Sequence, residues 1–172
     1  MIQEATSTIE RQITFTKDYQ DIGVSEPAWQ DLAETVRRAS ALVHNERISI
    51  DIDVGNVRVL ADPLLEKVFY NLIDNALRYG GEPLTTIQLL AREDESGLVI
   101  IFEDDGIGIT RKDKSRIFDR GVGQNTGLGL FLVREILSIT GITISETGEA
   151  GKGATFKIHV PRGRYAFDFC KI

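Results

Sequence analysis

The sequence predicts an α/β two-layer sandwich of the α+β kind, a mixed β-sheet covered on one face by three helices, preceded by a further N-terminal helix. Three observations carry that class. Alternating apolar and polar segments recur in neighbouring pairs: RISIDIDV (47–54) with VRVLA (57–61), and TTIQLLARE (85–93) with LVIIFED (98–104). Between the strand-like segments lie stretches of helical period, the most regular being LLEKVFYNLIDNALRYG (64–80). A glycine-rich stretch from 106 to 126 has no period and predicts a long loop inside the domain.

Each element follows from local chemistry. Residues 2 to 20 read as a helix, with Ile2, Ala5, Ile9 and Ile13 on one stripe continued by Thr16 and Tyr19, and Glu4, Glu10, Arg11 and Lys17 on the other side. DIGVSEP (21–27) breaks that pattern. Ser25 or Glu26 as cap, with Pro27 in the first turn, predicts a second helix over 28 to 43. In RISIDIDV the residues Ile48, Ile50, Ile52 and Val54 point one way, and the Gly55-Asn56 turn signal predicts a hairpin over 47 to 61. Asp62-Pro63 opens a helix that Gly80-Gly81 ends near Tyr79. A strand pair around DESG, a helix over 127 to 139, and strands in GITISET (141–147) and GATFKIHV (153–160) complete the domain.

Composition narrows the function classes. The chain has 172 residues, 42% hydrophobic and 27% charged, enough for one domain with its own core. No apolar run approaches the ~20 residues a membrane-spanning helix needs. The start lacks the basic head and apolar middle of a signal peptide. A single cysteine, Cys170, excludes a disulfide framework and a zinc-site spacing, which points to a reducing, cytoplasmic location. The net charge of −6 offers no basic face for nucleic acid, so no nucleic-acid partner is expected. A few converging cations and backbone amides can still hold a phosphate ligand on an acidic protein.

Two stretches carry chemistry. In IIFEDDGIGIT (100–110) an apolar run ends in Glu103, Asp104 and Asp105 and then in Gly106 and Gly108. The carboxylates could form a metal cage, an acid–base pair or the floor of a ligand pocket; an extended strand sends Glu103 and Asp104 to opposite faces, which disfavours the cage. On the 64–80 helix, Leu65, Val68, Phe69, Leu72 and Ala76 share the core face, while Asn71 and Asn75 stack four apart with Arg78 beside them. A solvated polar flank is the plain interpretation. Asparagine gains little in mid-helix, however, and its carbonyl oxygen suits Mg2+, with Arg78 placed to neutralise a phosphate.

NLIDNALRYG (71–80), DDGIGI (104–109), RIFDRG (116–121), NTGLGL (125–130) and GKGATF (151–156) stand in the order and spacing of the five sequence boxes of histidine-kinase ATP-binding domains. Over about residues 28 to 161 the chain resembles that family, and the wider GHKL fold shared with type II topoisomerases, mismatch-repair ATPases and a heat-shock chaperone. The resemblance implies ATP and Mg2+ as ligands. It makes Asn75 the metal ligand, and Asn71, Asn75 and Arg78 the catalytic group, with Tyr79 beside them. It makes Asp104 the acceptor of the adenine amino group, with Gly106, Gly108 and Ile109 letting the base approach the backbone. The loop to Thr126 resembles a nucleotide lid, with Phe118 as apolar anchor and Arg120 as a phosphate contact. Thr126, Gly127, Leu128, Gly129 and Leu130 bring a helix start to the triphosphate; Leu130, Val133 and Leu137 also read as core. Asn125 stands where the family often has glycine. Gly151, Gly153 and Thr155 form a wall near the adenine. GKG is no P-loop, since Gly153 stands where Ser or Thr is required.

Hydrolysing relatives place a glutamate where this chain has Asn71, and an amide is no general base. Glu66 and Asp74 point elsewhere on the helix. The resemblance therefore implies a protein histidine kinase that presents the γ-phosphate to a histidine on a dimerisation domain, ahead of a GHKL ATPase clamp or an anti-sigma-type serine kinase. His44 and His159 lack the surroundings of a phosphoacceptor. Residues 1–22 then resemble the end of the second dimerisation helix, 23–163 the catalytic domain and 164–172 a tail. The implied partners are that dimerisation domain and a response regulator, with a dimer for the full-length protein and a monomer for this fragment. The fragment is expected to bind ATP without phosphorylating itself. A cytoplasmic domain is compatible with membrane association of the full-length protein.

Overall fold

The computed structural model describes residues 1–43, 45–122 and 127–168. Its main sheet has five strands in the order β2 (Ser49–Asp53), β4 (Thr86–Asp94), β5 (Gly97–Asp104), β7 (Thr155–Pro161) and β6 (Thr143–Glu146). β2 runs parallel to β4 and every other neighbour is antiparallel, so the sheet is mixed. Helices α2 (Leu32–Ala41), α3 (Leu65–Tyr79) and α5 (Gly129–Ser138) supply the buried side chains that cover one face. The expected layer architecture holds.

The strand periodicity places the site. Along β5, Leu98, Ile100 and Phe102 are buried against the helices, and the same two-residue period brings Asp104 to that face while Glu103 stays exposed. On α3, Leu65, Val68, Phe69, Leu72 and Ala76 are buried as their spacing requires, with Ile73 added. Burying Phe69, Leu72 or Ile73 in full contributes about 1.5–3 kcal/mol each, which outweighs the mediocre helix propensity of the two asparagines between them.

Two sequence expectations fail, both over pairing. Residues 47 to 61 form no hairpin. β2 pairs with β4, whereas β3 (Val57–Ala61) turns into a second, three-stranded sheet between β1 (Ala28–Asp31) and β8 (Tyr165–Phe167). The helix expected over 28 to 43 starts only at Leu32. Its first four residues are β1, antiparallel to β3, and Asp31 is the cap, its carboxylate accepting from the Glu34 amide at 2.8 Å. Residues 165–167, set apart in sequence as tail, close the small sheet, and Arg58 pairs with Asp168 at 2.8 Å.

The N-terminal helix α1 (Ile2–Asp21) meets the domain with the face that carries Phe15, Asp18 and Tyr19, so of the expected stripe only its Tyr19 end makes contact. Phe15 packs tilted against Phe131 of α5 at a ring-centroid distance of 6.4 Å, Tyr19 stacks on the same ring at 6.0 Å, and Asp18 faces Lys67 of α3 at 3.5 Å. Ile2, Ile9 and Ile13 stay exposed, because only the C-terminal half of α1 reaches the domain. Among the described residues no helix is long and apolar enough to cross a membrane.

Candidate functional site

Asp104 closes the apolar row of β5 and is only 5% exposed. Its Oδ1 accepts from the amides of Gly106 at 2.9 Å and Ala154 at 3.2 Å. Among the described residues no hydrogen bond reaches Oδ2, which leaves that oxygen for an outside donor. Burial pushes the carboxyl above the ordinary carboxylate value; the two amide bonds oppose the rise, and the charges of Asp105 and Glu146 add to it. Asp105 behaves in the opposite way. Its slight burial favours the neutral form, but the Thr85 side chain and the amides of Thr85 and Thr86 outweigh that and hold it below the ordinary value.

The glycines after Asp104 serve a purpose the sequence did not reveal. A Cβ at Gly106 would sit 2.7 Å from the Gly80 backbone, and one at Gly108 would sit 2.7 Å from the Gly153 carbonyl. On the side a Cβ would occupy, the space is filled by the protein's own chain. The Ile107 amide donates to the Gly80 carbonyl at 2.9 Å, and the Gly151 amide donates to the Ile107 carbonyl at 2.7 Å. The turn is thus strapped between the end of α3 and the loop before β7. Ile109 follows half-buried against the core.

On α3 the column of asparagines is half-buried and faces the start of α5. Asn71 Nδ2 donates to the Lys67 carbonyl at 2.8 Å, which turns its oxygen outward. A Cβ built at Gly129 would lie 3.1 Å from Asn71 Oδ1 and 3.8 Å from Asn75 Oδ1, so both amide oxygens border the first turn of α5. Two hard neutral oxygens beside a helix start are a donor set that suits Mg2+ with a phosphate. Leu128 caps α5 without a side-chain bond; Gly127, with φ of 59°, accepts from the Gly121 amide at 3.2 Å; Leu130 is half-buried against the core.

The cations predicted for phosphate are engaged elsewhere. Arg78 donates to Asp74 at 2.7 Å, and that bond holds the guanidinium charged more firmly than usual despite partial desolvation. Tyr79 ends the helix beside it, 36% exposed. Arg120 lies over the Phe15 ring of α1, 6.0 Å from its centroid. Phe118 does anchor the loop, packing edge-on against Phe156 of β7 at 6.3 Å. Thr155 pairs across the strands with Glu103, its hydroxyl 3.3 Å from that carboxylate, on the sheet face away from Asp104; Ala154 is the neighbour of Asp104 instead. Thr126, Asn125 and His44 lie outside the described residues, and His159 bonds Ser96 at 2.8 Å.

Sequence reasoning missed Lys114 and Glu146. Lys114 ends a short helix α4 (Arg111–Lys114) and donates to the Glu146 carboxylate and to the Gly148 carbonyl. The Glu146 side chain has no exposed surface. One signal could have found it: Glu146 falls in strand register with Ile142 and Ile144, an acid on the core side of an alternating segment. The carboxylates of 103–105 point apart: Glu103 faces Thr155 across the sheet, Asp105 is tied to Thr85 and Thr86, and Asp104 is bonded to the Gly106 and Ala154 amides.

Comparison with known proteins agrees with this geometry. Residues 61–164 match the family described as histidine kinase-, DNA gyrase B- and HSP90-like ATPase. The sensor protein SrrB of Staphylococcus aureus is 36% identical over 107 residues, covering 57% of this chain and 18% of the relative. The chain therefore spans less than a fifth of that curated relative. Full-length ShkA in complex with AMPPNP superposes with a TM-score of 0.75 at 22% identity, covering 94% of this chain and 37% of that one. The ATP-binding domain of PrrB from Mycobacterium tuberculosis gives a TM-score of 0.66 at 23% identity over 80% of this chain and 98% of its own.

Proposed function

The chain belongs to the histidine kinase-, DNA gyrase B- and HSP90-like ATPase family, and on that premise we propose that it is the ATP- and Mg2+-binding catalytic domain of a two-component sensor histidine kinase. The observation that carries the reading is Asp104. A buried carboxylate with one oxygen fixed by two amides and the other without a bond among the described residues is built to accept from a neutral donor such as a purine amino group. The Asn71 and Asn75 oxygens face the start of α5, where a triphosphate would meet free amides. Asn75, with Asn71 beside it, would hold the Mg2+, which when bound supplies charge neutralisation at the phosphates.

Transfer to a protein histidine, rather than hydrolysis, is the reaction this arrangement favours. Water has no activator on α3: Glu66 is tied to Arg38 at 2.9 Å and Asp74 to Arg78. The acceptor histidine would lie on a dimerisation domain outside this chain, of which residues 1–22 form the end, with Ile2, Ile9 and Ile13 open to further helices. Residues 23–163 form the catalytic domain, which β8 extends by one strand. A response regulator would take the phosphoryl group onward, and the full-length protein would be a dimer with this domain in the cytoplasm.

Titration calorimetry tests the reading. The wild-type protein is expected to bind ATP with Mg2+, and Asn75→Ala to weaken ATP binding while leaving adenosine binding intact. A single-turnover assay on the isolated protein should show negligible ATP loss. Absence of binding, or rapid turnover, would sink the proposal.

Gly129→Ala is expected to separate affinity from stability. The new methyl group would press on Asn71 Oδ1 at 3.1 Å, yet Gly129 opens the helix without a positive φ, so alanine adds no backbone strain there. The melting temperature should hold, while ATP affinity falls by about tenfold, equivalent to 1.4 kcal/mol. Equal affinity in both proteins would show that the amide column does not face the nucleotide.

A further inference from the structure

Two buried carboxylates meet at the head of β7. Asp104 Oδ1 accepts from the Ala154 amide at 3.2 Å, and Glu146 Oε1 accepts from the very next amide, that of Thr155, at 3.1 Å. The last amide before β7 and the first amide within it therefore hold acids from the two strands that flank β7. Glu146 also accepts from the Gly148 amide at 2.8 Å, and its other oxygen takes Lys114. Lys114 comes from the loop that follows Asp104, so a single cation ties that loop to the turn between β6 and β7. That turn continues into Gly153 and Ala154, which pack directly on the Asp104 backbone.

We propose that Lys114 and Glu146 form a positioning pair for Asp104: the lysine offsets the Glu146 charge and holds the turn, and together they set the place and the ionisation of the carboxylate that grips the base. The inference rests on the reading of Asp104 as the purine acceptor. Both act through the protein: Lys114 bonds Glu146 and the Gly148 carbonyl, and Glu146 bonds the Gly148 and Thr155 amides. Glu146 raises the energy of an ionised Asp104, and the Lys114 ammonium sits on the far oxygen of Glu146 as its counter-charge. The remaining charged groups nearby are separately engaged. Asp105 bonds Thr85 and Thr86, Glu103 faces the other side of the sheet with Thr155, and Glu149 pairs with Lys152 in the exposed turn at 2.9 Å.

The test reads Asp104 directly, without nucleotide. Carbon-13 NMR follows the Asp104 carboxyl against pH in the wild type, Lys114→Met, Glu146→Gln and the double variant. Lys114→Met should move the midpoint upward, Glu146→Gln should move it downward, and the double variant should return it towards wild type. Opposite displacements that cancel cannot arise from misfolding, which would move both single variants alike. Calorimetry on the same proteins should show the pH at which ATP affinity is lost moving with the midpoint. An Asp104 midpoint that ignores both substitutions, or moves the same way in both, overturns the proposal. A wild-type protein that binds no ATP overturns instead the functional reading of the site, whatever the midpoints do.

Discussion

Asp104→Asn is expected to abolish tight ATP binding while leaving the nucleotide-free protein at least as stable as the wild type. The asparagine oxygen can still accept from the Gly106 and Ala154 amides, so the turn keeps its shape. What disappears is the ionised Oδ2, and an amide NH2 now faces the amino group of the base. A hydrogen bond to a charged acceptor is worth about 1.5–3 kcal/mol, so affinity should fall roughly 10- to 150-fold. The stability effect runs the other way. Burial raises the Asp104 pKa in the folded protein above its unfolded value. Its contribution to stability is therefore fully present below the ordinary carboxylate value and is lost as pH rises through the raised one. At neutral pH the wild type carries that cost and the asparagine variant does not. Melting curves at pH 5 and pH 8 should show the variant gaining on the wild type as pH rises. Unchanged ATP affinity, or a variant that loses ground towards pH 8, would refute this account of the carboxylate.

Gly153→Ala should be among the most damaging single-methyl changes in the domain. At φ of 106° a side chain is strained, and the added Cβ would stand 1.8 Å from the Asp104 carbonyl oxygen and 2.8 Å from its carbon. Backbone strain of about 1–2 kcal/mol adds to overpacking of about 1–3 kcal/mol, and rigid backbone on the far side cannot yield cheaply. A loss of about 3 kcal/mol corresponds to a fall of roughly 6–12 °C in melting temperature for a chain of this size. ATP affinity should fall with it, because the displaced atoms belong to Asp104 itself. Gly151→Ala is the control. Gly151 also has positive φ, at 84°, but nothing lies within 4 Å of its Cβ position, so only the conformational strain applies. Equal melting temperatures for the two variants would show that the close approach at Asp104 does not constrain the loop.

Glu103 and Asp104 illustrate what a local pattern can decide. The two-residue period of β5 was enough to send one carboxylate to solvent and the other under the helices. The asparagine column of α3 was legible for the same reason, since four residues on a helix return to one side. Ala28–Asp31 was not, because a four-residue strand is too short to show its period, and the Ser-Glu-Pro before it imitates a helix start. The partners of β2 and β3 were not legible either: alternation identifies a strand without saying which remote segment it pairs with.

The sequence by itself determined the helices and strands of the main layer, and the buried face of α3 and β5, because turns, periods and buried faces are set by near neighbours along the chain. Only the tertiary structure decided that Arg120 lies over Phe15, that the glycines of the turn admit Gly80 and Gly153, and that Lys114 reaches Glu146. The last pair is separated by 32 residues, and its two sides meet because packing brings them together, an outcome to which no local pattern along the chain is sensitive.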